Sequence, residues 1–280
     1  MKPITAQTQL LAIFGDPVGH SLSPVMHNGW IEDHGLDAAF VALQLKSDDA
    51  AGVFRALKSV QLKGASVTVP HKEAAAAAAD NGALRVANTL RWEPDGTVTA
   101  FNTDGDGFLD ALAEAAPGWA SRVDNVLMLG AGGAAMGIHR ALHPGPEHDI
   151  DFFVVNRTRA RATALAQNTT RTWDRDWEEM PSLFESADLI VQTTTLGMGG
   201  NESPAWPVER CKPGAIVVDI VYRPLETPLL KAARARGLVA VDGLGMLIHQ
   251  GARAFEHWFG IKPDPASARR RMLAALGEHR

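Results

Sequence analysis

The sequence contains a single cysteine, Cys211, among 280 residues, which excludes an internal disulfide framework. One cysteine is typical of proteins kept in a reducing compartment, so the cytoplasm is the expected location. No stretch approaches the roughly 20 apolar residues that a membrane-spanning helix requires. The segment from Met1 to Leu11 has neither a long apolar run nor a small-residue cleavage site. We therefore expect a soluble protein without a signal peptide.

The sequence also lacks an excess of positive charge. Its formal net charge is -5 and its pI is about 6.1, so no global positive field attracts nucleic acid or an anionic membrane surface. Ten histidines are present, but His20, His27 and His34 show neither HExxH nor paired-cysteine spacing. We expect no bound metal, no nucleic-acid partner and no membrane partner, and either a monomer or a homodimer.

Strand-like apolar segments alternate with helical segments, which is the pattern of a parallel sheet built from βα units. In the first part of the chain this predicts strands at 11–15, 39–44 and 67–69, and helices from Pro24, from Asp48 and over 71–80. A β-hairpin is predicted at 87–102 around the Asp95-Gly96 turn. A helix over 107–116 follows and is closed by Pro117-Gly118.

A second βα series starts with the apolar strand 126–129, and further strands are predicted at 152–155, 189–192, 215–219 and 238–241. Helices over 246–259 and 265–276 follow. The predicted fold is therefore α/β with two domains. Residues 1–106, completed by helices of 246–280, form an N-terminal α/β substrate domain, and residues 107–245 form a C-terminal Rossmann-like dinucleotide-binding domain. We expect the two domains to face each other across a cleft.

Lys72 lies at a position that is unfavourable for a lysine. The strand at 67–69 ends at Pro70 and an alanine-rich helix follows at once, so Lys72 falls in the first helical turn. The positive end of a helix disfavours an exposed cation by roughly 0.3 to 1 kcal/mol. This field favours the neutral amine that a general base requires. We interpret Lys72 as catalytic; the simpler alternative is a solvated surface lysine.

A glycine turn follows the strand at 126–129. Gly130 allows a tight turn, Gly132 lets backbone N–H groups approach a pyrophosphate, and Ala135 permits close helix packing. A strand, glycines and a helix in this order predict a dinucleotide site.

The next strand decides which dinucleotide is favoured. It runs into Asn156-Arg157-Thr158, with Arg159 and Arg161 beyond, and it carries no acidic residue for a ribose 2′-hydroxyl. Because guanidinium groups match a 2′-phosphate, NADP is favoured over NAD, although NAD stays possible. The alternative is a solvated basic loop that opens a helix.

Small polar side chains also cluster at the ends of predicted elements in the first domain. They are Ser21, Ser23, Thr68, Asn88, Thr89, Asn102, Thr103 and Asp104. A small substrate with several hydroxyls and a carboxylate needs such directed hydrogen bonds. Taken alone, the segment from Ser21 to Pro24 is also explained as a helix N-cap.

Seven ordered motifs resemble the shikimate dehydrogenase family over nearly the full chain. They are Ser-Leu-Ser-Pro at 21–24, Val-Thr-Val-Pro-His-Lys at 67–72, Asn-Thr at 88–89, Asn-Thr-Asp at 102–104, Gly-Ala-Gly-Gly-Ala at 130–134, Asn-Arg-Thr at 156–158, and Gly-Leu-Gly-Met-Leu at 243–247 with Gln250. The resemblance implies reversible NADP-dependent oxidation of shikimate to 3-dehydroshikimate in chorismate biosynthesis, with Lys72 and Asp104 as the acid–base pair.

The resemblance also implies two sets of binding residues. Shikimate or a relative would be held by Ser21, Ser23, Thr68, Asn88, Tyr222 and Gln250. The NADP site would be lined by Gly130, Ala131, Gly132, Gly133, Ala134, Asn156, Arg157, Thr158, Arg161, Ile220 and Gly243.

The chain departs from the family pattern in places. Ser66 stands where asparagine is common, and Gln192-Thr193-Thr194 replaces the usual Asn-Ala-Thr. These departures keep open a paralogue that acts on quinate or an amino analogue of shikimate with NAD or NADP. A second alternative is another two-domain dehydrogenase sharing only the nucleotide domain, which the first-domain motifs disfavour. A third is a catalytically silent binding or sensor protein.

Overall fold

The computed structural model describes residues 3–60, 62–82, 84–143, 149–167 and 169–277. Their strands are β1 (Gln9–Gly15), β2 (Ala38–Gln44), β3 (Leu62–Val67), β4 (Thr89–Trp92), β5 (Val98–Phe101), β6 (Asn125–Leu129), β7 (Asp151–Val155), β8 (Thr172–Arg175), β9 (Leu189–Gln192), β10 (Ile216–Asp219) and β11 (Val239–Val241). Their α-helices are α1 (Ser23–Asp33), α2 (Ala50–Ala56), α3 (Lys72–Ala78), α4 (Asp104–Ala115), α5 (Gly133–Leu142), α6 (Arg159–Ala166), α7 (Met180–Ser186), α8 (Pro228–Ala235), α9 (Gly243–Phe259) and α10 (Pro265–Leu276).

The chain divides into two compact units. The first runs to Gly107 and resumes at Ile248, and the second runs from Phe108 to Leu247. The first unit contains a sheet of order β2-β1-β3-β4-β5, in which β1 pairs in parallel with β2 and β3. The strands β3, β4 and β5 pair antiparallel, so the hairpin predicted around Asp95-Gly96 is confirmed.

One buried cluster of the first unit contains Phe14, Phe54, Val67 and Leu90, and Leu11 and Ile13, which alternate with Ala12 and Phe14 along β1, are buried as well. Helix α10 contacts α1 in the same unit: Trp30 Nε1 donates to the Asp264 carbonyl at 2.8 Å. The last helix of the chain therefore returns to the first unit, as the predicted fold requires.

The second unit contains a sheet of order β11-β10-β9-β6-β7-β8, and all of its pairings are parallel. This is the doubly wound Rossmann order, so the predicted fold class is confirmed. Side chains of β6 alternate between two buried clusters, with Val126 and Met128 in one and Leu127 and Leu129 in the other. Burial on both faces explains why this strand is a continuous apolar run.

The structure corrects several predicted boundaries, and the strand predicted at 67–69 lies at Leu62–Val67 instead. Strand β8 was not predicted, because Thr-Trp-Asp-Arg at an edge of the sheet lacks an apolar run. Helix α3 ends at Ala78 rather than at residue 80, since Asp80 pairs with Val98 through both its backbone and its side chain. Helices α4 and α9 each begin three residues earlier than predicted, at Asp104 and Gly243. No helix in the described part of the chain is long and apolar enough to span a membrane.

Candidate active site

Lys72 and Asp104 form an ion pair within the first unit. Lys72 Nζ lies 2.5 Å from Asp104 Oδ2. The exposed fraction of the side chain is 15% for Lys72 and 7% for Asp104. Each residue is the first of its helix, Lys72 of α3 and Asp104 of α4. Asp104 was predicted at a strand end; its N–H instead donates to Asn102 Oδ1 at 3.1 Å, where the helix begins. The pair offers a proton donor or acceptor with a carboxylate that orients it.

The backbone around Lys72 is fixed from several sides. The ring Nε2 of buried His71 lies 2.7 Å from the Leu45 carbonyl oxygen, and the His71 N–H donates to the Thr68 carbonyl at 3.0 Å. The Lys72 carbonyl accepts from the Ala87 N–H at 2.9 Å. Three chain segments therefore hold the start of α3.

Asn88 binds the other oxygen of the Asp104 carboxylate. Its Nδ2 donates to Asp104 Oδ1 at 2.8 Å, while its Oδ1 accepts from the Thr103 N–H at 2.8 Å. Because a backbone N–H can only donate, this contact fixes which end of the amide faces Asp104. Gln250 joins the network, since Asn88 Nδ2 also lies 3.2 Å from Gln250 Oε1.

The predicted residues Ser21, Ser23 and Thr68 lie in the same unit. Ser21 Oγ accepts from the Ser23 N–H at 3.2 Å, whereas the N-cap position of α1 is occupied by Leu22 and makes no side-chain bond. Thr68 is half-buried and its N–H donates to the Phe14 carbonyl at 2.9 Å. In the described residues no hydrogen bond joins these three side chains to the Lys72–Asp104 pair.

In the second unit, the candidate cofactor residues follow one row of the sheet. Strand pairing places in this row the four residues Val155, Leu129, Gln192 and Asp219. The residues that come directly after them are Asn156, Gly130, Thr193 and Ile220. The carboxyl ends of parallel strands are where α/β sheets bind ligands. Three of the predicted cofactor residues therefore leave the sheet side by side, together with Thr193, which was not predicted.

The glycine turn has the backbone that a dinucleotide site requires. Gly130 has a φ of +111°, and a Cβ there would collide with Thr193 Oγ1. At Gly132 a Cβ would meet none of the described protein atoms within 4 Å, so packing alone does not demand glycine. Helix α5 starts at Gly133 without a side-chain cap, which leaves its first N–H groups for an anion.

Asn156 connects the glycine turn to the basic loop. Its Oδ1 accepts from the Ala131 N–H at 3.2 Å, and its Nδ2 donates to the Thr158 carbonyl at 2.8 Å. The side chain predicted from the Asn-Arg-Thr motif therefore acts here as a bridge between two segments of the candidate site.

The three arginines after β7 differ in their partners. Arg159 Nε donates to Asp174 Oδ2 at 3.0 Å, and its Nη1 donates to Asp176 Oδ2 at 2.6 Å. Arg157 and Arg161 are exposed, and neither forms an ion pair in the part of the chain that the structure describes. The residues present therefore fit a dinucleotide whose 2′-phosphate contacts Arg157 and Arg161.

Ile220 and Gly243 follow the neighbouring strands β10 and β11, and Tyr222 comes two residues after Ile220. A Cβ at Gly243 would collide with the Ile220 carbonyl, so glycine permits close approach of α9 to the segment after β10. Burial raises the pKa of Tyr222 above its ordinary value, so its hydroxyl is a hydrogen-bond donor at neutral pH. Among the described residues, no group of three or more His, Cys, Asp or Glu side chains is arranged to hold a metal ion.

A Rossmann-like unit with a glycine turn, in a chain that also carries a partly buried lysine–carboxylate pair, defines a two-domain nicotinamide-dependent oxidoreductase. Family models match three parts of the chain: the shikimate dehydrogenase substrate binding domain at 13–89, shikimate / quinate 5-dehydrogenase at 112–220, and the shikimate 5'-dehydrogenase C-terminal domain at 243–273. Shikimate dehydrogenase (NADP(+)) of Dinoroseobacter shibae is 42% identical over 275 residues, which cover 96% of this chain and 98% of the relative. The chain belongs to the shikimate dehydrogenase family.

Two solved structures are similar over almost the whole chain. Shikimate 5-dehydrogenase from Thermus thermophilus, in complex with NADP(H) and shikimate, has a TM-score of 0.81 and 34% identity, covering 94% of this chain and 99% of that one. Quinate dehydrogenase from Corynebacterium glutamicum, in complex with NAD, has a TM-score of 0.86 and 29% identity, covering 95% and 99%. The family resemblance predicted from the ordered motifs is confirmed.

Proposed function

We propose that this protein catalyses the reversible NADP-dependent oxidation of shikimate to 3-dehydroshikimate, as part of chorismate and aromatic amino acid biosynthesis. The observation that carries the proposal is the ion pair of Lys72 with Asp104, whose second carboxylate oxygen is bound by Asn88. The cytoplasmic location and the monomeric or homodimeric state remain predictions from the sequence.

In the oxidative direction, the neutral amine of Lys72 takes the proton of the reacting hydroxyl. NADP+, when bound, supplies the acceptor for the hydride that leaves the same ring carbon. In the reducing direction, the Lys72 ammonium returns the proton to the developing alkoxide. Asp104 holds the amine in place, and Asn88 keeps the carboxylate from rotating.

The remaining predicted residues are assigned to binding. Asn88 and Gln250 are close enough to the ion pair to contact a hydroxyl that reaches Lys72. The family resemblance adds Ser21, Ser23, Thr68 and Tyr222 as shikimate ligands. For the cofactor, Gly130 to Ala134 and Asn156 to Thr158 would hold the phosphates and the ribose, and Arg157 with Arg161 would select the 2′-phosphate.

One observation favours a second candidate, oxidation of quinate. Ser66 is 5% exposed, and its Oγ has no hydrogen-bond partner among the described residues. It lies on β3, which ends at Val67, and it comes two residues before the predicted substrate residue Thr68. Quinate carries one more hydroxyl than shikimate, and a buried hydroxyl without a partner is a group that such a substrate could satisfy.

An absorbance assay in the nicotinamide band tests these proposals. The purified protein is mixed with shikimate or quinate, each with NADP+ and with NAD+. We expect the highest kcat/KM for shikimate with NADP+. A higher value for quinate contradicts the substrate assignment. Thermal stabilisation by shikimate without any absorbance change identifies a silent binding protein instead.

A further inference from the structure

Asp219 is a buried carboxylate that the proposed chemistry does not use. It ends β10 and is 1% exposed. Its Oδ2 accepts from the Thr227 hydroxyl at 2.7 Å, and its Oδ1 accepts from the Val221 N–H at 3.0 Å and from Gln192 Nε2 at 3.4 Å. Three separate segments of the second unit therefore donate to one side chain.

Gln192 lies beside Asp219 in the sheet and holds the neighbouring segment in the same way. Its Nε2 also donates to the Leu196 carbonyl at 3.1 Å, and its Oε1 accepts from the Thr194 N–H. The Ile220 N–H donates to the Gln192 carbonyl at 3.0 Å. The two side chains thus bind the segments that begin at Thr193 and at Ile220, where both leave the sheet.

These segments need side-chain partners because the strand ladder stops at this row. Beyond it, the N–H groups of Val221 and Thr194 have side-chain acceptors in place of strand partners. Thr227 extends the network, since its hydroxyl donates to Asp219 while accepting from the Leu230 N–H at 3.3 Å, at the start of α8.

We propose that Asp219, together with Gln192, is a positioning residue for the dinucleotide site, which it serves by fixing the segment 220–222 and the segment 193–196 beside the glycine turn. Thr193 occupies the space that a Cβ at Gly130 would need, and the Ile220 carbonyl lies against Gly243. A displacement of the segment 220–222 therefore moves the predicted cofactor residue Ile220, and a displacement of the segment 193–196 moves Thr193, which lies against the predicted residue Gly130. This inference rests on the proposed function in taking the dinucleotide to be NADP(H).

The choice of a carboxylate at this position fits the role. Burial raises the pKa of Asp219 to about 6, because desolvation disfavours the charged carboxylate. An apolar residue at this position would avoid that desolvation penalty. A carboxylate supplies two acceptor oxygens to three donors, whereas asparagine supplies one acceptor oxygen and keeps only the Oδ1 contacts.

The experiment measures the Kd for NADPH, and for NADH, by fluorescence titration of Asp219→Leu and Asp219→Asn. We expect Asp219→Leu to weaken NADPH binding by about tenfold or more, because small misplacements of binding groups have large effects. Asp219→Asn should restore affinity to within about threefold of the parent, since the Val221 and Gln192 contacts survive. This rescue separates positioning from a general loss of stability.

Asp188 provides the matched control at the amino ends of the same strands. Its Oδ2 accepts from the N–H groups of Asp124 and Asn125 at 3.1 and 2.9 Å, and Lys212 Nζ lies 2.5 Å from its Oδ1. We expect Asp188→Leu to lower the Tm but to leave the Kd for NADPH within about twofold, because it lies at the opposite end from the glycine turn. An equal loss of affinity in this variant overturns the proposal.

Gln192→Met keeps the inference testable if Asp219→Leu does not fold. It removes the amide at similar volume, and a Kd increase of about threefold to tenfold is expected for the lost hydrogen bonds. An unchanged Kd in folded Gln192→Met or Asp219→Leu also overturns the proposal. If these variants weaken binding while the parent protein oxidises no shikimate, the positioning role stands and the proposed reaction falls.

Discussion

Lys72 Nζ donates to Asp104 Oδ2 at 2.5 Å, and each residue opens a helix of the first unit. The lysine is therefore presented by a fixed backbone and oriented by a carboxylate that Asn88 holds in turn. A flexible surface lysine has neither constraint, and the simpler interpretation of Lys72 as a solvated residue is disfavoured by its 15% side-chain exposure.

The first prediction concerns Lys72→Ala. Loss of the group that moves the proton should lower kcat by about 10² to 10⁴, while the KM for shikimate changes little. Steady-state kinetics with NADP+ measures both values. Lys58→Ala is the matched control, because Lys58 forms an ion pair with Asp80 at 2.8 Å in the same unit and is more exposed. Near-full turnover of Lys72→Ala would remove Lys72 from the mechanism.

The second prediction compares Asn88→Ala with Thr103→Val. Asn88→Ala strips Asp104 Oδ1 of a donor and leaves the buried Thr103 N–H without its acceptor, so we expect about 1 to 3 kcal/mol of lost stability and a marked fall in kcat/KM. Thr103→Val keeps that N–H contact and loses only hydroxyl contacts, so its effects should be smaller. Urea unfolding and kinetics measure both. Equal effects in the two variants would show that the contacts of the Asn88 amide with Asp104 and with the Thr103 N–H do not determine stability or kcat/KM.

The third prediction concerns the basic loop after β7. Arg157→Ala and Arg161→Ala should each raise the KM for NADP+ by about tenfold or more and leave the KM for NAD+ nearly unchanged, because a charge-assisted contact to the 2′-phosphate is lost. Arg159→Ala is the control, since Arg159 is engaged by Asp174 and Asp176. Steady-state kinetics with each cofactor gives the ratio of the KM for NADP+ to the KM for NAD+ in every variant. A control that loses NADP+ discrimination as strongly as the other two would contradict the assignment.

The fourth prediction concerns the acid stability of the first unit. His27 is 1% exposed among Trp30, Phe40, Phe255 and Trp258, and neither ring nitrogen has a hydrogen-bond partner in the described residues. Burial lowers its pKa from 6.5 to about 3. His27 is therefore protonated below pH 6.5 in the unfolded chain, but only below about pH 3 in the folded protein. The free energy of unfolding consequently falls as the pH falls from 6.5 to 3.

His27→Phe should remove this loss, because phenylalanine suits the aromatic surroundings and does not titrate. The linkage amounts to about 2 kcal/mol at pH 5. Urea unfolding at pH 8 and pH 5 should therefore show a smaller difference for the variant than for the parent protein. Parallel pH dependences in the two proteins would mean that His27 is not buried in its neutral form.

The sequence predicted the strands and the glycine turn at the centre of the second unit, but not the edge strand β8. The apolar strand, the glycines and the helix after them are consecutive, so their order alone identifies the turn at Gly130. Strand β8 escaped prediction because its four residues carry Asp174 and Arg175 rather than an apolar run. The ion pair of Arg159 with Asp174, which lies 15 residues further along the chain, was not predicted either, because no local pattern joins the two residues.

The sequence by itself determined the order of the strands other than β8, the position of Lys72 at a helix start and the chemistry of the residues in the candidate site. These follow from local periodicity, from turn residues and from side-chain identity. Only the tertiary structure decided that Asp104 meets Lys72 across 32 positions, that Asn88 meets Gln250 across 162, and that Asp219 collects donors from three segments. Local patterns report how a segment folds and which face is buried, but the pairing of strands and helices decides which distant side chains come within hydrogen-bond distance.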